Sequence, residues 1–180
     1  MSALTSFVAI AWVVFWVYWM VSAAGAKRGS RPRLAVVPRL VIMALVILFV
    51  SVFKGHRLSV HNPVLHVVGL IFLLSGLALA VWARVYLGSN WGMPMTQKDE
   101  PELVTSGPYT LVRHPIYSGL LLAALGTSLT VSLYWLLALV VLGAYFIYSA
   151  TVEEKIMTAS FPTAYPSYRT KTKMLIPFVL

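Results

Sequence analysis

Long apolar stretches alternate with short polar ones along the chain, and that alternation predicts membrane-crossing helices. Residues 4–24 form a charge-free run rich in Trp, Val and Ala. At about 1.5 Å per residue, about 21 residues reach about 31 Å, enough to cross a bilayer core of about 30 Å. A second run covers 34–53 and a third covers 65–87, with Arg84 near its end. Residues 116–129 and 133–148 make a last pair, parted only by Thr130, Val131 and Ser132. Each of these two is short for a span, so they are expected as a tilted hairpin lengthened by flanking residues, or as a partly re-entrant one. The pattern predicts an all-α, polytopic membrane protein of about five transmembrane helices, forming a single membrane domain over 1–180. No internal repeat or low-complexity segment interrupts it.

Composition agrees. The chain is 59% hydrophobic and 11% charged, against about a quarter charged in soluble domains, and its mean hydropathy is +0.83. The first apolar run is too long for the core of a signal peptide and lacks a basic segment before it, so no cleaved leader is expected. The absence of cysteine excludes disulfides, thiolate metal sites and cysteine nucleophiles. The net charge of +9 is a matter of topology. Lys27, Arg28, Arg31, Arg33 and Arg39 follow the first run; Arg84, Lys98, Arg113, Lys155, Arg169, Lys171 and Lys173 fall on the same side, and only Lys54 and Arg57 on the other. An excess of Lys and Arg marks the cytosolic face. The N-terminus is therefore expected outside and the C-terminus in the cytosol. The basic residues point to membrane lipids as partners and not to nucleic acid.

The carboxylates indicate where chemistry can reside. Asp99, Glu100, Glu102, Glu153 and Glu154 are all the acids of the protein, and all are assigned to the cytosolic side. The loop 88–114 and the tail after Tyr148 are the sizeable non-spanning segments, and a loop that long is usually functional. Together they are expected to form a cytosolic catalytic cap. Gly107-Pro108 reads as a turn. Pro115 suits the first turn of a helix, where its missing N–H is no loss. His114 then stands at a helix mouth, where unpaired N–H groups and the dipole favour an anion, with Tyr117 close above at the membrane surface. The bland reading makes Arg113 a snorkelling cation, Tyr117 a belt residue and Glu153-Glu154-Lys155 the acidic first turn of a surface helix. His56, His61 and His66 recur every five residues, a poor spacing for a shared helical metal site, and are read as interfacial polar residues with no metal. The remaining Trp and Tyr read as belt and packing residues.

Leu-Val-Thr-Ser-Gly-Pro-Tyr at 103–109, followed by Arg-His-Pro-Ile-Tyr-Ser-Gly at 113–119, resembles the isoprenylcysteine carboxyl methyltransferase family. Glu153-Glu154, Phe161, Tyr165 and Tyr168 match its pattern of paired Glu, then Phe, then two Tyr three apart, and Leu87-Gly88 with Trp91 looks like the entry to its catalytic segment. The resemblance covers roughly 85–178, taken as the catalytic core. It implies a multispanning enzyme that binds S-adenosylmethionine in a cytosolic pocket enclosed by the loop, the Arg-His-Pro helix and the tail. The family's cofactor contacts fall on Leu103, Val104, Tyr109, His114, Pro115, Ile116, Tyr117 and Glu153, and Arg113, Glu153 and Glu154 are the candidate catalytic residues. His114 and the helix mouth suit the cofactor carboxylate, Glu153 its ammonium, and aromatics its adenine or sulfonium. The lack of a Gly-x-Gly-x-x-Gly segment fits, since the family does not use that fingerprint. Two departures stand out: Ser149 occupies the position of the family's substrate Arg, with Arg113 or Arg169 as possible sources of the missing charge, and Pro101 replaces a His.

The implied reaction is carboxyl O-methylation of an isoprenylcysteine-like lipidated substrate, with in-line displacement driven by positioning and exclusion of water. An already ionised carboxylate needs no base. An amine acceptor would need one, with Glu154 or Tyr168 as candidates. The rivals are a phospholipid N-methyltransferase, an NADPH-dependent enzyme of the sterol-reductase type and a non-catalytic membrane component. A transporter fits less well, because no predicted span has an ionisable residue at mid-depth.

Overall fold

The computed structural model describes residues 2–23, 29–30, 58–91, 97–98 and 102–179. The second predicted span, 34–53, lies outside these residues, as do His56, Asp99, Glu100 and Pro101. Among the described residues, five α-helices follow in chain order: α1 Ala3–Ala23, α2 Pro63–Leu87, α3 Pro115–Thr130, α4 Trp135–Ser160 and α5 Ala164–Lys171. Three of them, α1, α2 and α4, are long and apolar enough to cross a membrane, while α3 has 16 residues. On α1, Ile10, Val13, Val17, Met20 and Val21 face outward, which suits lipid contact. This is an integral membrane protein of helical fold.

Local chemistry fixes the helix ends. Asn62 caps α2, its side chain accepting from Val64 N at 2.9 Å and Leu65 N at 3.4 Å, and Pro63 takes the first helical position. Gly88 ends the helix at φ +53°, a conformation that glycine adopts without strain. The sequence pattern ended the last span near Tyr148, but α4 continues to Ser160. Polarity there marks departure from the apolar layer and not the end of the helix. No Gly or Pro occurs between Ser149 and Ser160 to break it. It stops when Phe161 precedes Pro162, where helical dihedrals are disfavoured, and Phe161 sits at φ −132°. Glu153 and Glu154 are therefore deep inside α4 and belong neither to a separate tail nor to the first turn of a surface helix.

The main helix–helix contact among the described residues joins α2 to α3. Gly69, Leu73, Gly76 and Ala80 on α2 face Gly119, Ala123, Gly126 and Thr130 on α3. A Cβ on Gly76 would stand 2.5 Å from both Ala123 N and Gly119 O, so the two backbones touch directly. Small residues permit such an approach in membranes, where packing and not the hydrophobic effect holds helices together. Helix α1 joins this pair through Trp12, whose Nε1 donates to Thr127 Oγ1 at 3.0 Å, with Val8 and Phe15 buried beside it.

The two ends of the bundle are distinct. At one end, Val60 N donates to Val131 O at 3.3 Å and Leu133 N to Leu58 O at 3.1 Å, joining the approach to α2 with the α3–α4 turn. His66 bonds Val60 O at 2.9 Å there. At the other end, strand β1 (Gly29–Ser30) pairs antiparallel with β2 (Gln97–Lys98). Nearby, Arg84 donates to Ser22 O and Gly88 O, each at 2.6 Å, and lies over the Trp91 ring. Among the described residues, Gly29–Ser30, Gln97–Lys98, the end of α2 and α5 thus share one end.

The seam yields a test. Gly76→Val should lower stability by about 1–3 kcal/mol or more, because a backbone cannot yield as a side chain does. Gly143→Ala on α4, where the nearest atom is an ordinary 3.8 Å away, should be neutral or slightly stabilising. Thermal unfolding in detergent would check both.

Candidate functional site

Pro115, fully buried, opens α3, and His114 takes the cap position before it. A short 3-10 turn, Gly107–Thr110, leads in, with Gly107 at φ +58° against the Tyr86 ring. From α4, the inward face presents Phe146, Ser149, Ala150 and Glu154. Where these faces meet, charges and aromatic rings form one cluster. Arg113 Nε donates to Glu154 Oε1 at 2.7 Å, and Arg169 Nε stands 3.3 Å from the other oxygen. His114 Nδ1 lies 3.4 Å from Glu153 Oε2, and its Nε2 is 3.6 Å from Glu154. The latter distance is an ionic contact too long for a hydrogen bond, which leaves His114 Nε2 buried without a hydrogen-bond partner.

Tyr117 is buried within the protein and is not an exposed belt residue. Its hydroxyl donates to Glu153 Oε1 at 2.5 Å. Its ring stacks between His114 and Phe146, with centroids 5.4 and 4.4 Å away. The stack runs from the carboxylates into the apolar core. Arg113 does not snorkel. Besides Glu154, its guanidinium donates to the carbonyl of Arg169 at 3.3 Å and, more closely, to that of Thr172. The segment after α5 then lies against the helix mouth: Arg113 N donates to Lys173 O at 2.8 Å, His114 N to Met174 O at 3.0 Å, and Ser118 Oγ to Leu175 O at 2.5 Å. The backbone donors of Arg113 and His114 are thereby used by the chain itself.

Burial pushes the His114 imidazolium down, but Glu153 and Glu154 together outweigh it and hold the group above its ordinary value. Three phenols are held up, chiefly by burial: Tyr109 and Tyr165 well above the usual range and Tyr168 to about 12. At neutral pH they remain protonated donors. Tyr168 gives its proton to Tyr109 O at 2.5 Å, and Tyr109 in turn reaches Ala83 O at 3.5 Å.

Of the residues singled out by sequence, Arg113, His114, Tyr117, Glu153 and Glu154 come together. Tyr109 adjoins them through Tyr168, and Pro115 and Ile116 pack beneath, Ile116 against the apolar core. Leu103 and Val104 are half-buried on the segment entering the 3-10 turn, with no bond to the cluster among the described residues. Ser149 is fully buried one turn before Glu153, its hydroxyl without a partner. Arg169 does reach the cluster, through Glu154. Sequence reasoning missed Phe146. The signal was its place seven residues before Glu153, two turns along the same face once α4 is continuous. It also missed the carbonyls of Thr172 to Leu175, which carry no side-chain signature.

A helical membrane protein whose site joins a helix mouth to paired carboxylates is the class that the geometry defines. The chain belongs to the phospholipid methyltransferase family, whose profile matches residues 64–164. It is 34% identical over 112 residues to protein-S-isoprenylcysteine O-methyltransferase of Schizosaccharomyces pombe, covering 60% of this chain and 48% of that protein. It is 30% identical over 116 residues to a probable protein-S-isoprenylcysteine O-methyltransferase of Oryza sativa subsp. indica, covering 62% and 61%. The chain thus spans about half to three-fifths of the length of these relatives. In fold it resembles the eukaryotic intramembrane Ras methyltransferase ICMT, with a TM-score of 0.57 at 22% identity over 83% of this chain and 54% of that one. These relatives meet the resemblance read from the motifs.

Two outcomes follow from the cluster. Arg113→Ala strands the buried Glu154 carboxylate and should cost about 3–5 kcal/mol, and Arg113→Lys should recover only part, lacking the planar fork. With its folded value above 6.5, His114 should contribute stability that is fully present below 6.5 and lost as pH rises through the folded value. A pH series of thermal unfolding should show that loss, and His114→Asn should flatten it.

Proposed function

We propose that the chain is an S-adenosylmethionine-dependent methyltransferase that methylates the carboxylate of an isoprenylcysteine-like lipidated substrate within the membrane. The observation that carries the reading is the buried His114 set against Glu153, with its Nε2 lacking a hydrogen-bond partner, in a chain whose relatives bear that activity in their names. The site suits a zwitterionic cofactor. A ligand group would satisfy the orphaned imidazole nitrogen, the side chain of Glu153 is 24% exposed and able to meet an ammonium, and the Tyr117–Phe146 stack offers an aromatic flank. When bound, the cofactor supplies an electrophilic methyl group on a sulfonium.

The protein's share is binding, orientation and exclusion of water. His114 and Glu153 fix the cofactor's charged end, Tyr117 holds Glu153 in place, and Arg113 holds Glu154 stationary beneath. Leu103, Val104, Tyr109, Pro115 and Ile116 form the surrounding wall. A carboxylate acceptor arrives ionised and needs no base. The amine alternative needs one, yet Glu154 is engaged by Arg113, and Tyr168, held up to about 12, donates its proton to a carbonyl. That favours the carboxyl reading over phospholipid N-methylation, the activity for which the family is named. On this reading the N-terminus is outside, the site end faces the cytosol, and the chain makes about five spans in one membrane domain with its catalytic core at about 85–178.

Calorimetric titration of S-adenosylhomocysteine into the detergent-purified protein should show saturable binding, weakened at least about tenfold, or about 1.4 kcal/mol, in His114→Ala and in Glu153→Ala. An isoprenylcysteine analogue should be methylated by the parent and not by Glu153→Ala. Well-folded parent protein that binds no cofactor, in detergent or nanodiscs, would end the methyltransferase reading. Binding with turnover of phosphatidylethanolamine alone would replace the acceptor.

A further inference from the structure

Beyond the cofactor site, the segment after α5 changes character within a few residues. Its backbone runs parallel to 112–114, with Val112 bridged to Lys173, and its carbonyls meet successively deeper donors. Lys173 and Met174 are taken by the backbone of Arg113 and His114, and Leu175 by the Ser118 hydroxyl. Ser118 lies about one helical turn, about 5.4 Å, further along α3 than His114. The segment therefore descends beside α3, from the charged cluster toward the apolar layer.

Leu175 is buried in the core beside Tyr117 and Phe146, and Ile176, Phe178 and Val179 then turn outward at 52%, 93% and 72% exposure. Val179 N donates to Ile176 O at 3.2 Å, closing them into one knuckle. Phe178 holds φ +66°, a left-handed conformation that bulky residues adopt rarely. Just above, Lys171 and Lys173 are exposed and the Arg169 side chain is 59% exposed. No acidic residue follows Glu154. An apolar knuckle under three cations, Lys171 and Lys173 with Arg169, whose Nε also contacts Glu154, matches the order of layers at a membrane surface, headgroup phosphates above and acyl chains below.

We propose that residues 176–179 seat in the interfacial layer of an anionic phospholipid bilayer, with Arg169, Lys171 and Lys173 among its headgroups. The bilayer then holds the Lys173–Leu175 backbone against the α3 mouth, so lipid contact supports the cluster from outside.

The protein has no cysteine, so Phe178→Cys, Val179→Cys and Lys171→Cys each give one nitroxide position in the full chain. In nanodiscs of phosphatidylcholine and phosphatidylglycerol, oxygen should relax the labels at 178 and 179 more than a water-soluble nickel chelate does. The label at 171 should show the reverse. Val179→Cys leaves the unusual Phe178 backbone intact and guards against local refolding. Labels at 178 and 179 as open to the chelate as the one at 171 would overturn the seating. Spin–spin broadening that disappears on dilution with unlabelled protein would assign the knuckle to a second copy and overturn it equally. A depth unchanged when phosphatidylglycerol is omitted would overturn the role given to the three cations.

Discussion

Where Gly69 and Gly76 of α2 face Gly126 and Gly119 of α3, backbone meets backbone, with only the Thr130 hydroxyl and the Ala80 methyl beside the contact. Lipid tails are as apolar as leucine, so nothing expels these helices from their surroundings, and close packing must hold them. The consequence is positional. With α3 locked to α2, His114 at its mouth is set relative to the end of α2, and the Gly107–Thr110 turn is held between Tyr86 and Ala83. Tyr109 and its partner Tyr168 are placed by that turn. A wider seam would move the site's wall away from its floor.

Onto that frame α4 brings two adjacent carboxylates, a costly arrangement away from water. Glu154 is buried because Arg113 reaches it at 2.7 Å and Arg169 at 3.3 Å, and His114 as an imidazolium adds a third positive group. Glu153, less buried, receives the Tyr117 hydroxyl. The division is physical: Glu154 is spent on architecture, tying α4 to the loop and to α5, while Glu153 faces outward with a fixed neighbour. The same Arg113 binds two carbonyls after and within α5, so one guanidinium joins three parts of the chain that are distant in sequence.

Residues 65–87 were legible as a helix because apolarity and length agreed there, and Pro115 was legible as a helix start because its chemistry permits little else. The ordered motif at 103–119 with the later glutamates located most of the cluster. Apolarity alone could not show that α4 continues past Tyr148, since hydropathy reports the solvent and not the helix. That single misreading hid Phe146, whose relation to Glu153 exists only on an unbroken helix. The backbone of 172–175 was beyond reach for a different reason: carbonyls have no residue type. Ser149 was noticed only through a resemblance, and its burial without a partner has no counterpart in the pattern of the sequence.

The stack His114–Tyr117–Phe146 connects these observations. At its upper end an imidazole meets two carboxylates, and at its lower end Phe146 lies in the core with Ala150 and Leu175. Polarity therefore changes across two ring spacings and not across the width of a domain. On the proposed reading this is the arrangement the reaction requires: a charged, water-soluble donor is held where cations and carboxylates neutralise one another, and a lipid-linked acceptor presents its carboxylate from the apolar side. Neither partner has to cross into the other's solvent. The chain needs no base for that transfer, and the groups able to act as one are already held by Arg113 or by a carbonyl.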